Sequence, residues 1–172
     1  MPELPEVETV RRDLIPLVTG RKVTSFCIMP GAARVLCGAS EQWFRSELLG
    51  SRIFAVRRRG KYLLFVLNRG RTWIVHLRMT GSILHRIKDK PLEEFTRVRV
   101  LLDDGYELRF VDVRKFGTFQ IVTNLSNVIG KLGPEPLSHA FTPTSLWVSL
   151  EGRKAPLKAA LLNQEIVAGL GN

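Results

Sequence analysis

Apolar positions in the opening segment, PELPEVETVRRDLIPLVTG, recur at spacings of three and four, placing Val7, Val10 and Leu14 on one face. That spacing predicts a short helix. Pro5 suits its first turn, Glu6 and Glu8 complement the positive end of its dipole, and Arg11 and Arg12 complement the negative end. Pro16 and Gly20 are expected to close it. Glu41 to Leu49 predicts a second helix, set between strands. From Arg52 onward the apolar runs are short and β-rich. RIFAVRRRGKYLLFVLNRGRTWIVHLRMTGSIL is punctuated by Gly60, the Asn68–Gly70 stretch and Gly81, and RVRVLLDDGYELRFVDVRKFGTFQIV turns at Asp104-Gly105. Strands this closely spaced predict a β-sandwich or a barrel-like pair of antiparallel sheets. The strand signal fades near Asn124. Beyond it come loops and two short helices, one capped by Thr142 with Pro143 at its first position, the next opened by Pro156. The predicted class is α+β: an N-terminal helix plus a sandwich of antiparallel strands over residues 1–124, then a helical segment over 125–172, with the boundary at about 124–134.

Composition narrows the partners. Twenty-six lysines and arginines against sixteen aspartates and glutamates leave a net charge of +10 over 172 residues. Such an excess favours a polyanion, either nucleic acid or an anionic membrane surface, over a charge that only keeps the surface soluble. Apolar residues at 45% suffice for a substantial core. The two cysteines, Cys27 and Cys37, form no C-x-x-C pair and join no Cys/His cluster, so no zinc framework is expected. They are expected to act as small apolar residues in a reducing compartment. No stretch resembles a signal peptide or is long enough to span a bilayer, which predicts an intracellular protein.

Five stretches carry candidate chemistry. Once Met1 is removed, Pro2 presents a free secondary amine. α-Amino groups titrate near ~8, so a useful fraction is neutral and nucleophilic. Condensed with a sugar carbon it gives an iminium, charged without needing a proton. Glu3 is placed to protonate a ring oxygen or shuttle protons, and Glu6, one turn on, to hold a water or fix the amine. The same three residues also suit the simpler task of starting and capping a helix. VRRRGKYLLF concentrates cations, Lys61 among them, on one hairpin and has a phosphate-binding composition, or is an exposed charged turn. In HLRMTG, Met79 precedes a turn and is either a flexible gap-filler in a base stack or a core methionine. In VRKFG, Arg114 and Phe116 alternate with Lys115 and are expected on one side of a strand, suited to pairing and stacking with bases or to ordinary packing. Finally, Arg153, Lys154 and Lys158 precede a Gly-rich turn whose backbone amides can cradle a phosphate, with Asn172 as an added donor.

Taken together, PELPEVET, RRxKYLL, HLxMxG, RKFG and Q-x-x-VAGLGN resemble, in order and over essentially the whole chain, the formamidopyrimidine-DNA glycosylase and endonuclease VIII family. Leu4 and Val7 resemble the formamidopyrimidine branch, which removes 8-oxoguanine and formamidopyrimidines from duplex DNA. The resemblance implies that residues 125–172 are part of a helix-two-turn-helix. It makes Pro2 a Schiff-base nucleophile, Glu3 its acid partner, Glu6 an active-site carboxylate and Lys61 a lysine for β-elimination and phosphate contact. It makes Met79, Arg114 and Phe116 the trio that fills the gap left by a flipped nucleotide, and Arg153, Lys158 and Asn172 phosphate contacts. Zinc is expected only in the family's C-terminal four-cysteine finger, which these 172 residues do not include, as they do not include the second helix of the helix-two-turn-helix. The chain is therefore expected to be a partial one or one with a degenerate C-terminus, and a further phosphate release assisted by the finger is not expected of it. Three positions depart from the family: Arg78 where glycine is usual, and Phe95 and Arg97 where His-x-His is common. The implied partner is duplex DNA carrying oxidised purines or abasic sites, bound by a monomer in the bacterial cytoplasm near the nucleoid, with no membrane. A catalytically impaired damage-binding module and a basic RNA-binding scaffold are the alternatives.

Overall fold

The structure is a computed structural model that describes residues 2–172; the expected removal of Met1 concerns a residue outside them. Helix α1 spans Leu4–Val18 and buries Leu4, Val7, Leu14 and Val18, the face that the spacing predicts. Its first turn is closed by Glu6, whose carboxylate accepts the Glu3 backbone N–H at 3.0 Å. Pro16 does not end it. The helix runs two residues further, because a proline in the last turn costs little where the pairing is already ending. Arg11 and Arg12 do not serve the helix end either. Both turn back to Glu8, at 2.7 and 2.9 Å.

Eight strands follow: β1 (Val23–Ile28), β2 (Ile53–Arg59), β3 (Tyr62–Leu67), β4 (Thr72–His76), β5 (Ser82–Ile87), β6 (Thr96–Leu102), β7 (Tyr106–Val111) and β8 (Thr118–Val122). They form two four-stranded antiparallel sheets, ordered β1-β6-β7-β5 and β2-β3-β4-β8. Inward residues such as Phe26, Val56, Phe65, Val75, Val100, Leu108 and Phe119 fill the space between the sheets. β6 alternates buried and half-buried positions, as a strand with one face in the core does, whereas β4 is buried along its whole length, its apolar Trp73, Ile74 and Val75 flanked by the buried polar Thr72 and His76. The turns fall where glycine permits a left-handed backbone, at Gly60 between β2 and β3 and at Gly105 between β6 and β7. A short 3-10 helix (Ala33–Leu36) and α2 (Glu41–Leu48), capped by Ser40, close one side.

Two sequence expectations change here. Residues 112–117 are a loop between β7 and β8, with Lys115 at φ +56°, so Arg114 and Phe116 are not related by strand alternation. Cys37 is exposed and left-handed (φ +53°), not a core residue, while Cys27 is half-buried in β1.

Residues 125–172 carry α3 (Ser126–Ile129), α4 (Pro143–Leu150) and α5 (Leu157–Leu162). Thr142 caps α4, accepting the Ser145 N–H at 3.1 Å, with Pro143 at the first position as expected. No helix is long and apolar enough to cross a membrane among the described residues.

Candidate active site and nucleic-acid interface

Two clefts open side by side at one end of the sandwich, and Arg78 lines both. The first, of about 400 Å³, is lined by Lys61, Tyr62, His76, Arg78, Gln164 and Asn172. It is composite, since β3, β4 and the β2–β3 turn form one wall and the end of the chain forms the other. Lys61 follows the left-handed Gly60 and is only 6% exposed. Burial pushes its pKa below that of an ordinary lysine, and the Glu3 and Glu6 carboxylates push the other way. Glu6 in turn lies below the usual carboxylate range, held there by backbone N–H groups of its own residue and of Glu3. Pro2 is half-buried and directly precedes this pair of acids.

The Gly-rich turn explains why the chain needs glycine there. A Cβ on Gly171 would fall 2.0–2.1 Å from the Glu3 carboxylate, and one on Gly169 (φ +87°) would fall 2.6 Å from Leu4. The turn is thus packed against the start of α1, and Leu4 donates its N–H to the Gly169 carbonyl at 3.2 Å. The expected phosphate cradle is not available at two of its amides. Ala168 N–H goes to the Pro134 carbonyl at 3.0 Å and Gly169 N–H to Gln164 Oε1 at 2.8 Å.

His76, the first residue of HLxMxG but given no role from the sequence, ends β4 at the cleft. Its Nδ1 accepts the Arg78 backbone N–H at 3.0 Å, which leaves the proton of the neutral ring on Nε2. Burial, with the nearby Arg78 and Lys61 charges, pushes its pKa down to about 3, so the ring is neutral at physiological pH. The sequence signal was a histidine within an apolar run, two residues before a cationic turn.

The second cleft, of about 680 Å³, is lined by Arg34, Arg78, Met79, Lys115 and Phe116 among others. Met79 and Phe116 are 43% and 39% exposed. The Arg114 guanidinium lies between them, 4.7 Å from the Phe116 ring centre and 3.2 Å from the Met79 sulfur. Met79 and the Arg114–Phe116 pair, 35 positions apart, therefore make one exposed unit. Arg34, Arg78 and Lys115 beside it were not singled out for this role in the sequence.

Other predicted residues stand elsewhere. Arg153 is exposed and turns its Nε to the Ser149 carbonyl at 2.7 Å, and Lys158 is exposed on α5; neither lines the two clefts. Two hairpin arginines expected at phosphate serve structure instead. Arg58 binds Glu8 at 3.0 Å and Glu135 at 2.6 Å, and Arg59 binds Glu135 at 3.3 Å and the carbonyls of Leu132 and Gly133. Glu8, facing Arg11, Arg12 and Arg58, has its pKa pulled down to about 2 by those hydrogen bonds. No group of three or more His, Cys, Asp or Glu residues that could hold a metal forms among the described residues.

Comparison with known proteins gives this geometry a context. The family model described as Formamidopyrimidine-DNA glycosylase N-terminal domain matches residues 1–119. Curated relatives named Formamidopyrimidine-DNA glycosylase include one from Desulfitobacterium hafniense (strain DSM 10664 / DCB-2), 41% identical, and one from Symbiobacterium thermophilum, 45% identical. The alignments take in all of this chain, which spans 63% and 57% of those relatives. Among solved structures, a complex between the Lactococcus lactis Fpg and DNA containing an abasic site superposes with a TM-score of 0.89 at 35% identity, covering 99% of this chain and 63% of the other. A complex of Lactococcus lactis Fpg with DNA containing Fapy-dG gives 0.89 at 34%, covering 99% and 64%. On the strength of the matched domain, the full-length alignments and the shared fold, the chain belongs to the formamidopyrimidine-DNA glycosylase family.

Proposed function

We propose that this chain binds duplex DNA across the two clefts and removes oxidised purines, 8-oxoguanine and formamidopyrimidines, with strand cleavage through an iminium at Pro2. The observation that carries the reading is the convergence of Glu3, Lys61, His76 and Asn172 around one cleft, directly after Pro2 in the chain and beside an exposed Met–Arg–Phe unit. Cations supply sequence-independent affinity for phosphates, which falls as salt rises. The target nucleotide leaves the stack, as it must for its sugar carbon to be reached. Met79 and Phe116 occupy the space it leaves, and Arg114 pairs with the orphaned base.

The Pro2 nitrogen then attacks C1′ and the bond from C1′ to the base breaks, the base leaving with its electron pair and taking up a proton. Glu3 protonates the ring oxygen as the sugar opens, giving an iminium between Pro2 and C1′. That cation withdraws electrons from C2′. Loss of a C2′ proton expels the 3′ phosphate and cleaves the strand. Lys61, its pKa lowered by burial, sits where a phosphate contact and a proton transfer are both within its reach. Arg153 and Lys158, away from the clefts, fit contacts further along the duplex. The protein acts as a monomer, with no metal in these 172 residues. Residues 1–124 and 125–172 are read as two units, the second belonging to a helix-two-turn-helix.

Borohydride trapping tests the reading. The 172-residue chain with Pro2 at its N-terminus, mixed with a duplex containing one abasic site, gives a covalent adduct. A tag ahead of Pro2 abolishes it, and Glu3→Gln lowers its rate about tenfold or more. Persistent trapping in the tagged protein places the nucleophile elsewhere. Salt-sensitive binding with no adduct leaves only a damage-binding module.

A further inference from the structure

Asp112 lies completely buried at the end of β7, and no salt bridge includes it among the described residues. A buried carboxylate is costly unless donors surround it. Its donors come from two separate turns. Oδ1 accepts the Thr80 hydroxyl and, at 3.2 Å, the Arg114 N–H. Oδ2 accepts the Gly117 N–H at 2.9 Å. Thr80 follows Met79, and residues 114–117 hold Arg114 and Phe116. One carboxylate therefore ties together the turns that present all three projecting side chains, and its burial is compensated only when both turns are in place.

The surroundings strengthen this link. The two turns share one floor, the Phe110 ring: a Cβ on Gly81 would fall 2.8 Å from it and one on Gly117 2.1 Å, which is why the motifs read MTG and KFG. From outside, Arg97 grips the same loop. β6 is irregular between Thr96 and Val98, and that bulge turns Arg97 towards the loop, where Nε donates to the Asp112 carbonyl at 2.7 Å. Its guanidinium also lies 5.5 Å from the Phe95 ring, and the left-handed Phe95 (φ +63°) accepts the Asp112 N–H at 3.1 Å. The two departures at positions 95 and 97 thus have a task in this chain.

We propose that Asp112 is the positioning residue of the wedge, holding the Met79 turn and the Arg114–Phe116 loop as one rigid unit before DNA arrives, with Arg97 as its outer brace. The proposal rests on the reading of those three side chains as the group that fills the vacated stack. Pre-organisation of this kind raises affinity for a gapped stack by removing the entropy cost of ordering two turns on binding. It does little for undamaged duplex, where phosphate contacts dominate.

The test uses the 172-residue chain and two duplexes, one undamaged and one with a tetrahydrofuran abasic analogue next to a 2-aminopurine, whose fluorescence rises on unstacking. Asp112→Asn is expected to lower the preference for the analogue duplex about tenfold and to remove most of the fluorescence rise, with affinity for undamaged duplex within about twofold. Thr80→Val loses about threefold of the preference, and Thr80→Ser, which keeps the hydroxyl, restores it. Met79→Ala with Phe116→Ala is the control for the wedge reading. If that double variant loses the fluorescence rise while Asp112→Asn and Thr80→Val keep it, the wedge stands and the positioning role is overturned. If the double variant also keeps the rise, the wedge reading and the proposal fall together. If Asp112→Asn does not fold, the contrast between Thr80→Val and Thr80→Ser decides.

Discussion

The sandwich buries one continuous apolar cluster running from Val7 to Ile121, whereas residues 125–172 gather only a small cluster around Ala160, Ile166 and Val167, backed by partly buried Phe141, Leu146, Leu150 and Leu161. Trp147, Val148 and Leu157 on that side remain more than 60% exposed. The two regions are therefore held by different forces. The sandwich rests on burial. The placement of the later segment rests on a polar seam, Glu8–Arg58–Glu135–Arg59, and on the glycine turn packed against α1. The two clefts divide along the same line. The proposed wedge is built within the sandwich, on Phe110 and Asp112, while the proposed reaction cleft is split between the sandwich and the seam. Damage to the seam should reach chemistry without reaching the wedge, and damage to the core should reach everything.

The sharpest break in this comparison is a core truncation. Phe65 is fully buried and stacks on Trp73 with ring centres 4.4 Å apart. Phe65→Ala is expected to cost about 3–5 kcal/mol of unfolding free energy in denaturant titrations. Trp147→Ala, at a side chain 69% exposed, is expected to stay within about 0.5 kcal/mol. Comparable losses in the two variants would show that the later segment carries as much of the fold as the sandwich.

A smaller effect, spread over pH, isolates the wall that the sandwich gives to the reaction cleft. The pKa of His76 is about 3 in the folded chain against 6.5 ordinarily, because of burial and then Arg78 and Lys61. A base neutral in the native state and protonated when unfolded makes stability fall as pH falls below the unfolded value. The loss begins near pH 6.5 and continues towards 3. Glu8, with a folded pKa of about 2 against 4.5, contributes only below about 4.5. Between pH 6.5 and 4.5 the slope is thus expected to come largely from His76, which contributes about 2 kcal/mol, with a lesser part from His85, whose pKa burial also lowers. His76→Gln should flatten it by most of that amount. An unchanged slope would mean the ring is already protonated, or solvated, in the folded state.

The sequence was legible where a local pattern decides the outcome. The face of α1, the turns at Gly60 and Asp104-Gly105 and the cap at Thr142 follow from spacing and from residues within four positions of each other. The candidate site was legible as motifs: residues of HLRMTG and VRKFG line one cleft, and Glu3 of PELPEVET packs against Gly171 in the wall of the other. What was lost depended on distant partners. Arg58 looked like a phosphate ligand because Glu8 and Glu135 lie 50 and 77 positions away. The 113–117 stretch looked like a strand because its true organiser is a carboxylate sharing a hydroxyl 32 positions away. The amides of the Gly-rich turn looked free because Pro134 lies 34 positions before the Ala168 N–H that it accepts, and because nothing in Q-x-x-VAGLGN says that Gln164 folds back onto the Gly169 N–H.

The smallest effect tests the seam itself. Glu135 accepts from Arg58 at 2.6 Å, from the Gly60 N–H at 2.9 Å and from Arg59 at 3.3 Å, so it joins the β2–β3 turn that presents Lys61 to the segment that ends in Asn172. Arg58 is only 6% exposed at its side chain, and it keeps Glu8 as a second partner, while Glu135 itself is 19% exposed. Glu135→Ala therefore should not reach the 3–5 kcal/mol expected on breaking an isolated buried pair; about 1–2 kcal/mol is expected. That cost should fall locally. Hydrogen exchange should quicken in residues 125–172 while the protection of β3, β4 and β6 is kept, since those strands draw on the apolar core. Borohydride trapping should drop, because the wall that carries Lys61 and the opposite wall that ends in Asn172 are no longer held together, while the 2-aminopurine response of the wedge should persist. Equal loss of trapping and of the wedge response would mean that the two clefts are mechanically one, and the division between a burial-built and a polar-built half would not describe how this molecule works.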